Sequence, residues 1–277
     1  MKFKRFTLAS KIFTYVGLSS LTIILIAPLL WLTMSTFKDS AKIVGDPFSL
    51  PTSLSFQNVS DAWSAGNFGQ LLINSIEITT ISVIGILIIE GLAAYPLSRF
   101  RFRARGLIFV TFVVGQFVPA QVIMLPSSLQ MSWLGLSDTK TALILQYLSW
   151  APVAILFLSA SMATVPRELE EAAMVDGAGK IRILTRIVLP LTRPAFVSVA
   201  TIYALSIYND FVFPLMYIRS PENATVPLGL ASFQNQFNSY WGYLIGAIVI
   251  GIWPPLIIYS IFSRRVQGGF MTGALKG

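Results

Sequence analysis

From Ile12 to Phe37 the chain runs without one charged side chain, and five further stretches come close to the same purity. An α-helix needs about 20 mainly apolar residues to cross about 30 Å of hydrocarbon, and its backbone polar groups are satisfied internally. Runs this long leave an all-α, polytopic membrane fold as the expectation, with six transmembrane helices over about 12–37, 71–97, 107–133, 141–165, 194–218 and 241–263. Charged residues make up 12% of the chain, against about 25% in soluble domains. Internal prolines such as Pro28, Pro126, Pro254 and Pro255 are tolerated where neighbouring helices satisfy the freed carbonyls. Cysteine and histidine are absent. That excludes disulfide frameworks, thiolate or imidazole metal sites and histidine-based acid–base chemistry.

Orientation follows from lysine and arginine at the span ends. One side receives the N-terminus, the 2–3 loop, the 4–5 loop and the C-terminus, with 16 of the 20 basic residues, among them Arg99, Arg101, Arg103 and Arg105. Lys38, Lys42, Lys140 and Arg219 are the four on the other side. Both termini and the 4–5 loop are therefore expected in the cytoplasm. The net charge of +8 reads as an inside anchor, so nucleic acid is not an expected partner. The first span is read as uncleaved, being longer than a signal h-region and followed by no small-residue cleavage site. No internal repeat or soluble insertion interrupts the bundle, so residues 1–277 are expected to be one transmembrane domain.

The polar segment 166–193 stands out against this background. Pro166 suits the opening of a short helix, and Glu168, Glu170 and Glu171 complement its N-terminus. Gly177 and Gly179 are stop signals. Lys180, Arg182 and Arg186 begin a second helical stretch toward the membrane, punctuated by Pro190 and Pro194. By composition alone an ordinary solvated loop accounts for it equally well.

The spacing is more specific. Glu171-Ala172-Ala173, three residues, Gly177, nine residues, Ile187, one residue and Leu189-Pro190 resembles the EAA motif of ABC importer permeases. Leu92-Ala93-Ala94-Tyr95-Pro96-Leu97-Ser98-Arg99-Phe100 resembles the second-span exit of carbohydrate permeases. Tyr208-Asn209-Asp210-Phe211 and the ending Gly268 to Gly277 are similar to segments of the MalG-like subunits. The resemblance spans the whole chain and implies a type I importer permease of the carbohydrate-uptake class, in a bacterial or archaeal plasma membrane. It implies alternating access driven by two ATPase subunits, which hold ATP and magnesium; this chain would bind no cofactor and catalyse nothing itself. Glu171, Ala172, Ala173, Asp176, Gly177, Ile187, Leu189 and Pro190 would form the coupling segment. Further implied partners are a second, homologous permease subunit in a heterodimer, an extracytoplasmic solute-binding protein, a sugar and the bilayer. Val226, Leu228, Phe233, Gln234 and Phe237 lie where MalG-like proteins present a loop to the binding protein, and the C-terminal tail would reach toward the ATPases.

Ionisable groups at membrane depth are functional candidates, because charge there is costly. Asp210, with Tyr208, Asn209 and Phe211, either lines the translocation pathway or joins two helices. Glu77 and Glu90 face a partner permease or cavity water on this reading, with their role open. Aromatic residues such as Trp150 and Tyr203 either stack on sugar or pack the bundle. Gly242 and Gly246 form a small-xxx-small pair suited to close contact. Ala178-Gly179-Lys180-Ile181 only hints at a phosphate loop, since Met174 and Ile181 replace its first glycine and its hydroxyl residue. An ion-coupled secondary transporter is the competing class, built on Glu77, Glu90 and Asp210. It lacks an inverted repeat and leaves the EAA spacing unexplained. A membrane transferase would need a carboxylate pair, and Asp39, Asp46, Asp61 and Asp138 are too scattered to supply one.

Overall fold

The computed structural model describes residues 8–149, 151–236 and 240–274, with side chains of 8–11 and 262–274 left aside. Every regular element among them is helical. Four helices are long and apolar enough to cross a membrane, and two bent pairs bring the number to as many as six. The contacts divide the chain into two compact units, Met1–Phe68 with Leu230–Ile252 and Gly69–Gly229 with Trp253–Gly277.

In the first unit, α1 (Leu8–Ser35) is apolar on every face and buries almost nothing within its own chain. Such a helix is stable where lipid or another apolar surface surrounds it. It ends in a polar knot. The Asn58 amide, from α3 (Gln57–Ala65), donates to the carbonyls of Thr36 and Lys38 at 2.8 and 2.7 Å. Trp31 Nε1 and the buried Lys38 ammonium both donate to the Pro47 carbonyl, just beyond α2 (Ser40–Gly45). The last carbonyls of a helix lack intrahelical partners, and Asn58 supplies one. The Gly242 N–H, in the first turn of the last helix, donates to Ser40 Oγ at 3.1 Å.

The second unit is built on α4 (Phe68–Arg99), α5 (Arg105–Gly115), α6 (Ala120–Trp133), α7 (Lys140–Ser149) and α8 (Pro152–Ala163). They are followed by α9 (Arg167–Val175), α10 (Lys180–Ile183), a π-helical segment (Leu184–Val188), α11 (Leu189–Tyr208) and α12 (Val212–Tyr217). Ile86 on α4, Ile155, Leu158 and Met162 on α8 and Val188 are fully buried, and Ala94, Ala142 and Ala154 let backbones approach. Close packing of small residues drives association between helices in lipid, where the hydrophobic effect is weak. The chain continues through α13 (Val226–Gln236) and α14 (Trp241–Ala274).

Three expected spans differ from what is observed; the fourth is the pair α7 and α8, bent by 46°. The third is broken: α5 and α6 meet at 102°, because Pro119 cannot continue α5 and instead caps α6 in extended conformation. The fifth is shifted. Helical structure runs continuously from Lys180 to Tyr208, and the stretch up to 218 is completed by the separate α12. Pro190 causes no break, because the chain widens just before it: the Leu189 N–H bonds the Leu184 carbonyl, five residues back. A π-turn gives the proline ring room where an α-helical carbonyl would clash.

Candidate functional site

The polar loop folds as expected from its caps. Pro166 stands at the N-cap of α9 with Glu168 and Glu170 in the first turn, where negative charge meets the helix dipole. Gly177 stops the helix at φ +78°. Its N–H donates to the Met174 carbonyl at 3.0 Å, and the Ala178 N–H donates to Ala173 at 2.9 Å. Those two bonds make a Schellman motif, which needs a left-handed residue at the Gly177 position. Beyond it, α10, the π segment and α11 carry the chain on.

The eight predicted coupling residues separate into two groups. Glu171, Ala172, Asp176 and Gly177 are exposed and Ala173 is half-buried. Val175 and Ile181, on either side of the turn, are 88% and 80% exposed, so the loop presents an apolar surface beside Glu171. Ile187 and Leu189 are half-buried. Leu189 and Pro190 line a cavity of about 560 Å³ together with Leu87, Gly91, Leu92 and Arg193.

Sequence reasoning missed how the loop is attached. Arg99 is no simple headgroup anchor: its guanidinium is buried, 2.6 Å from the Glu170 carboxylate, and donates to the Val165 carbonyl at 2.7 Å. Tyr95 Oη donates to the other Glu170 oxygen at 3.3 Å. The available signal was the repeated acid: two adjacent glutamates on a helix point about 100° apart, so Glu170 and Glu171 need not share one environment.

The segment 208–211 is a helix break. Asn209 Nδ2 donates back to the Leu205 carbonyl at 2.8 Å, and α11 ends. Asp210 Oδ1 accepts from the Val212 N–H at 3.0 Å, starting α12, while Oδ2 accepts from Tyr147 Oη of α7 at 2.7 Å. Both carboxylate oxygens thus have partners within the bundle, a helix-joining arrangement. Tyr208 is buried, Asn209 exposed and Phe211 exposed. Phe213 packs edge-on to Tyr147 at 6.0 Å, and Tyr217 Oη donates to Gln146 Oε1 at 2.8 Å.

At the predicted outer end, Glu77 pairs with Lys140. The fully buried Asn74 donates to the carbonyls of Glu222 and Ala224 at 2.7 and 2.9 Å. Asp138 accepts from the N–H groups of Ser220 and Arg219 at 3.0 and 2.9 Å. These bonds, Ser220 foremost, hold its carboxyl below the ordinary range. A depressed folded-state pKa stabilises above the unfolded value of about 4 and is lost as pH falls through the lower folded value. Asp138 also sits at φ +58°, which aspartate and asparagine tolerate better than alanine. Asp138→Ala is therefore expected to lower the thermal midpoint of the purified protein measurably more than Asp138→Asn. The gap between wild type and Asp138→Asn should close below about pH 4.

Glu90 is buried mid-span, with no salt bridge among the described residues. Of the predicted binding-protein contacts, Val226, Leu228 and Phe233 have buried side chains. They are core because the Ser75 hydroxyl takes the Val226 N–H at 2.8 Å and Phe233 packs edge-on against Phe68 at 5.8 Å. Gln234 is exposed. Phe237, Trp150 and the tail end Leu275 to Gly277 lie outside the described residues.

Several helices of membrane-spanning length and apolarity, with a capped polar helix set between two of them, are the organisation of a polytopic membrane protein. Residues 85–268 match the binding-protein-dependent transport system inner membrane component family, and the chain belongs to that family. It is 32% identical to the diacetylchitobiose uptake permease NgcG of Streptomyces coelicolor over 92% of this chain and 85% of that protein. It is also 32% identical to the trehalose/maltose permease MalG of Thermococcus litoralis, over 96% and 97% of the two chains. In fold it resembles a chain of a bacterial ABC transporter involved in alginate import, with a TM-score of 0.81 at 22% identity, covering 95% of this chain and 99% of that one.

Proposed function

We propose that the chain is one of two permease subunits of an ATP-driven importer that receives an oligosaccharide from an extracytoplasmic solute-binding protein. The cargo class rests on the relatives named for diacetylchitobiose, trehalose/maltose and alginate. Both termini and the α9 loop face the cytoplasm on this reading, as the 16-to-4 distribution of basic residues requires. ATP and magnesium belong to partner ATPase subunits.

One observation carries the proposal: the Gly177 turn closes α9 and leaves Glu171, Val175 and Ile181 exposed together. An acid beside a small apolar surface fits a cleft on a soluble partner, with apolar contact for affinity and charge for register. ATP binding between the ATPases would favour one arrangement of the permeases over the other, and a rigid-body change follows from that difference in affinity. On the outer side, Gln234 is the described contact candidate whose side chain is free to meet the binding protein.

The chain has no cysteine, so Val175→Cys gives a single reactive thiol. It is expected to cross-link to an ATPase subunit in inside-out vesicles, with a yield that changes on adding ATP. Labelling of that thiol from the extracytoplasmic face, or uptake that persists without ATPase subunits, would sink the proposal.

A further inference from the structure

The second span ends in a segment that grips the polar loop on both flanks of the Gly177 turn. On the α9 flank, Arg99 and Glu170 form a nearly buried ion pair, with side chains 5% and 10% exposed. Tyr95 donates a hydrogen bond to the same carboxylate, and Arg99 also reaches the Val165 carbonyl just before α9. On the α10 flank, the Lys180 ammonium lies 4.5 Å from the centre of the Phe100 ring. Phe100 in turn packs edge-on to Tyr95 at 5.5 Å, which links the two grips.

We propose that this clamp delivers the displacement of α9 directly into the second span, so that α4 moves with the loop as one body. Covalent continuity offers two other routes, back from α9 into α8 and onward along Lys180–Tyr208 into the fifth span, and neither includes α4. The inference rests on the coupling role proposed for the loop. Exposed ion pairs yield easily, because water replaces each partner at little cost. A desolvated pair behaves differently: separating it leaves an uncompensated buried charge. The planar guanidinium adds rigidity by holding two groups at once: its Nε lies against the Glu170 carboxylate as an ion pair, while Nη2 donates to the Val165 carbonyl. Adjacent acids thereby divide the work. Glu170 faces its own second span, and Glu171 is left exposed for a partner. On α4 the clamp lies nine residues beyond the buried Glu90 and eight beyond Gly91 of the apolar cavity, so motion delivered there reaches the interior of the bundle.

The test uses the complete transporter in proteoliposomes with its binding protein, reading solute imported per ATP hydrolysed. Glu170→Gln and Arg99→Gln are each expected to cut that ratio at least tenfold while binding-protein-stimulated hydrolysis continues. The double variant should be no worse than either single one, as for two members of one unit. A positional role in folding alone would lower the amount of assembled complex and leave the ratio unchanged. Should the buried variants not assemble, Lys180→Met and Phe100→Leu probe the other flank, where a severalfold lower ratio is expected. An unchanged ratio in whichever variants assemble overturns the clamp. The Val175→Cys cross-link, made in the wild-type and the Glu170→Gln backgrounds, separates the two ideas. A retained cross-link with a normal ratio removes the clamp and leaves the loop's role standing; no cross-link in wild type removes the loop's role.

Discussion

Gly177→Pro is expected to reduce binding-protein-stimulated ATP hydrolysis to the basal rate and to abolish uptake, while the chain still inserts and assembles with its partners. Proline holds φ near −65°, whereas this position sits at +78°. Proline also removes the N–H that bonds the Met174 carbonyl, so the Schellman closure loses both its geometry and one of its bonds. The turn must then open, and the two flanks lose their register. Membrane insertion does not depend on this loop, because the apolar runs on either side satisfy their own backbones. Gly177→Ala separates strain from collision. Nothing lies within 4 Å of an added Cβ, so its cost is the left-handed strain alone, about 1–2 kcal/mol, and partial stimulation should survive. Asparagine, which tolerates this conformation, should fall nearer to wild type. Equal, normal stimulation in all three variants would mean that the turn does not transmit force.

Gly246→Val is expected to destabilise the first unit by about 3 kcal/mol, the upper end for overpacking, read as a lower temperature of thermal aggregation in detergent. A Cβ at 246 would overlap the backbone carbonyl of Asn58, and one at 242 would overlap the Asn58 side chain. Backbone cannot rotate aside as a flexible side chain can. Asn58 is also the residue that ties off the carbonyls after α1, so pushing it outward breaks those bonds too. Gly17→Val is the control. It sits on the exposed α1 with open space around it, and its substitution should leave the midpoint nearly unchanged. Equal losses from the two substitutions would show that helix propensity, and not contact, governs the result.

Local features of the chain were read correctly where the physics is local. The α9 start at Pro166, the Gly177 stop and the helical restart at Lys180 all follow from backbone rules within a few residues. The same is true of the close approach at Gly242 and Gly246, although not of what they approach. Long-range pairings left no such trace. Arg99 and Glu170 are 71 positions apart, and Tyr147 and Asp210 are 63, so nothing near either residue announces its partner. The burial of Val226, Leu228 and Phe233 was hidden for the same reason. A loop rich in apolar residues can present them to a partner or fold them inward, and Ser75 and Phe68 chose the second.

Charge-free runs, the distribution of basic residues and the glycine and proline punctuation were enough by themselves to determine a multi-span helical membrane protein with one capped polar helix. Each of those signals expresses an energy paid residue by residue, either to lipid or to the local backbone. Which glutamate turns inward, where the fifth span is divided by Asp210, and how the third bends at Pro119 were decided by tertiary structure. Those outcomes depend on which distant group reaches a buried charge or an open backbone bond, and only the folded chain brings the candidates together.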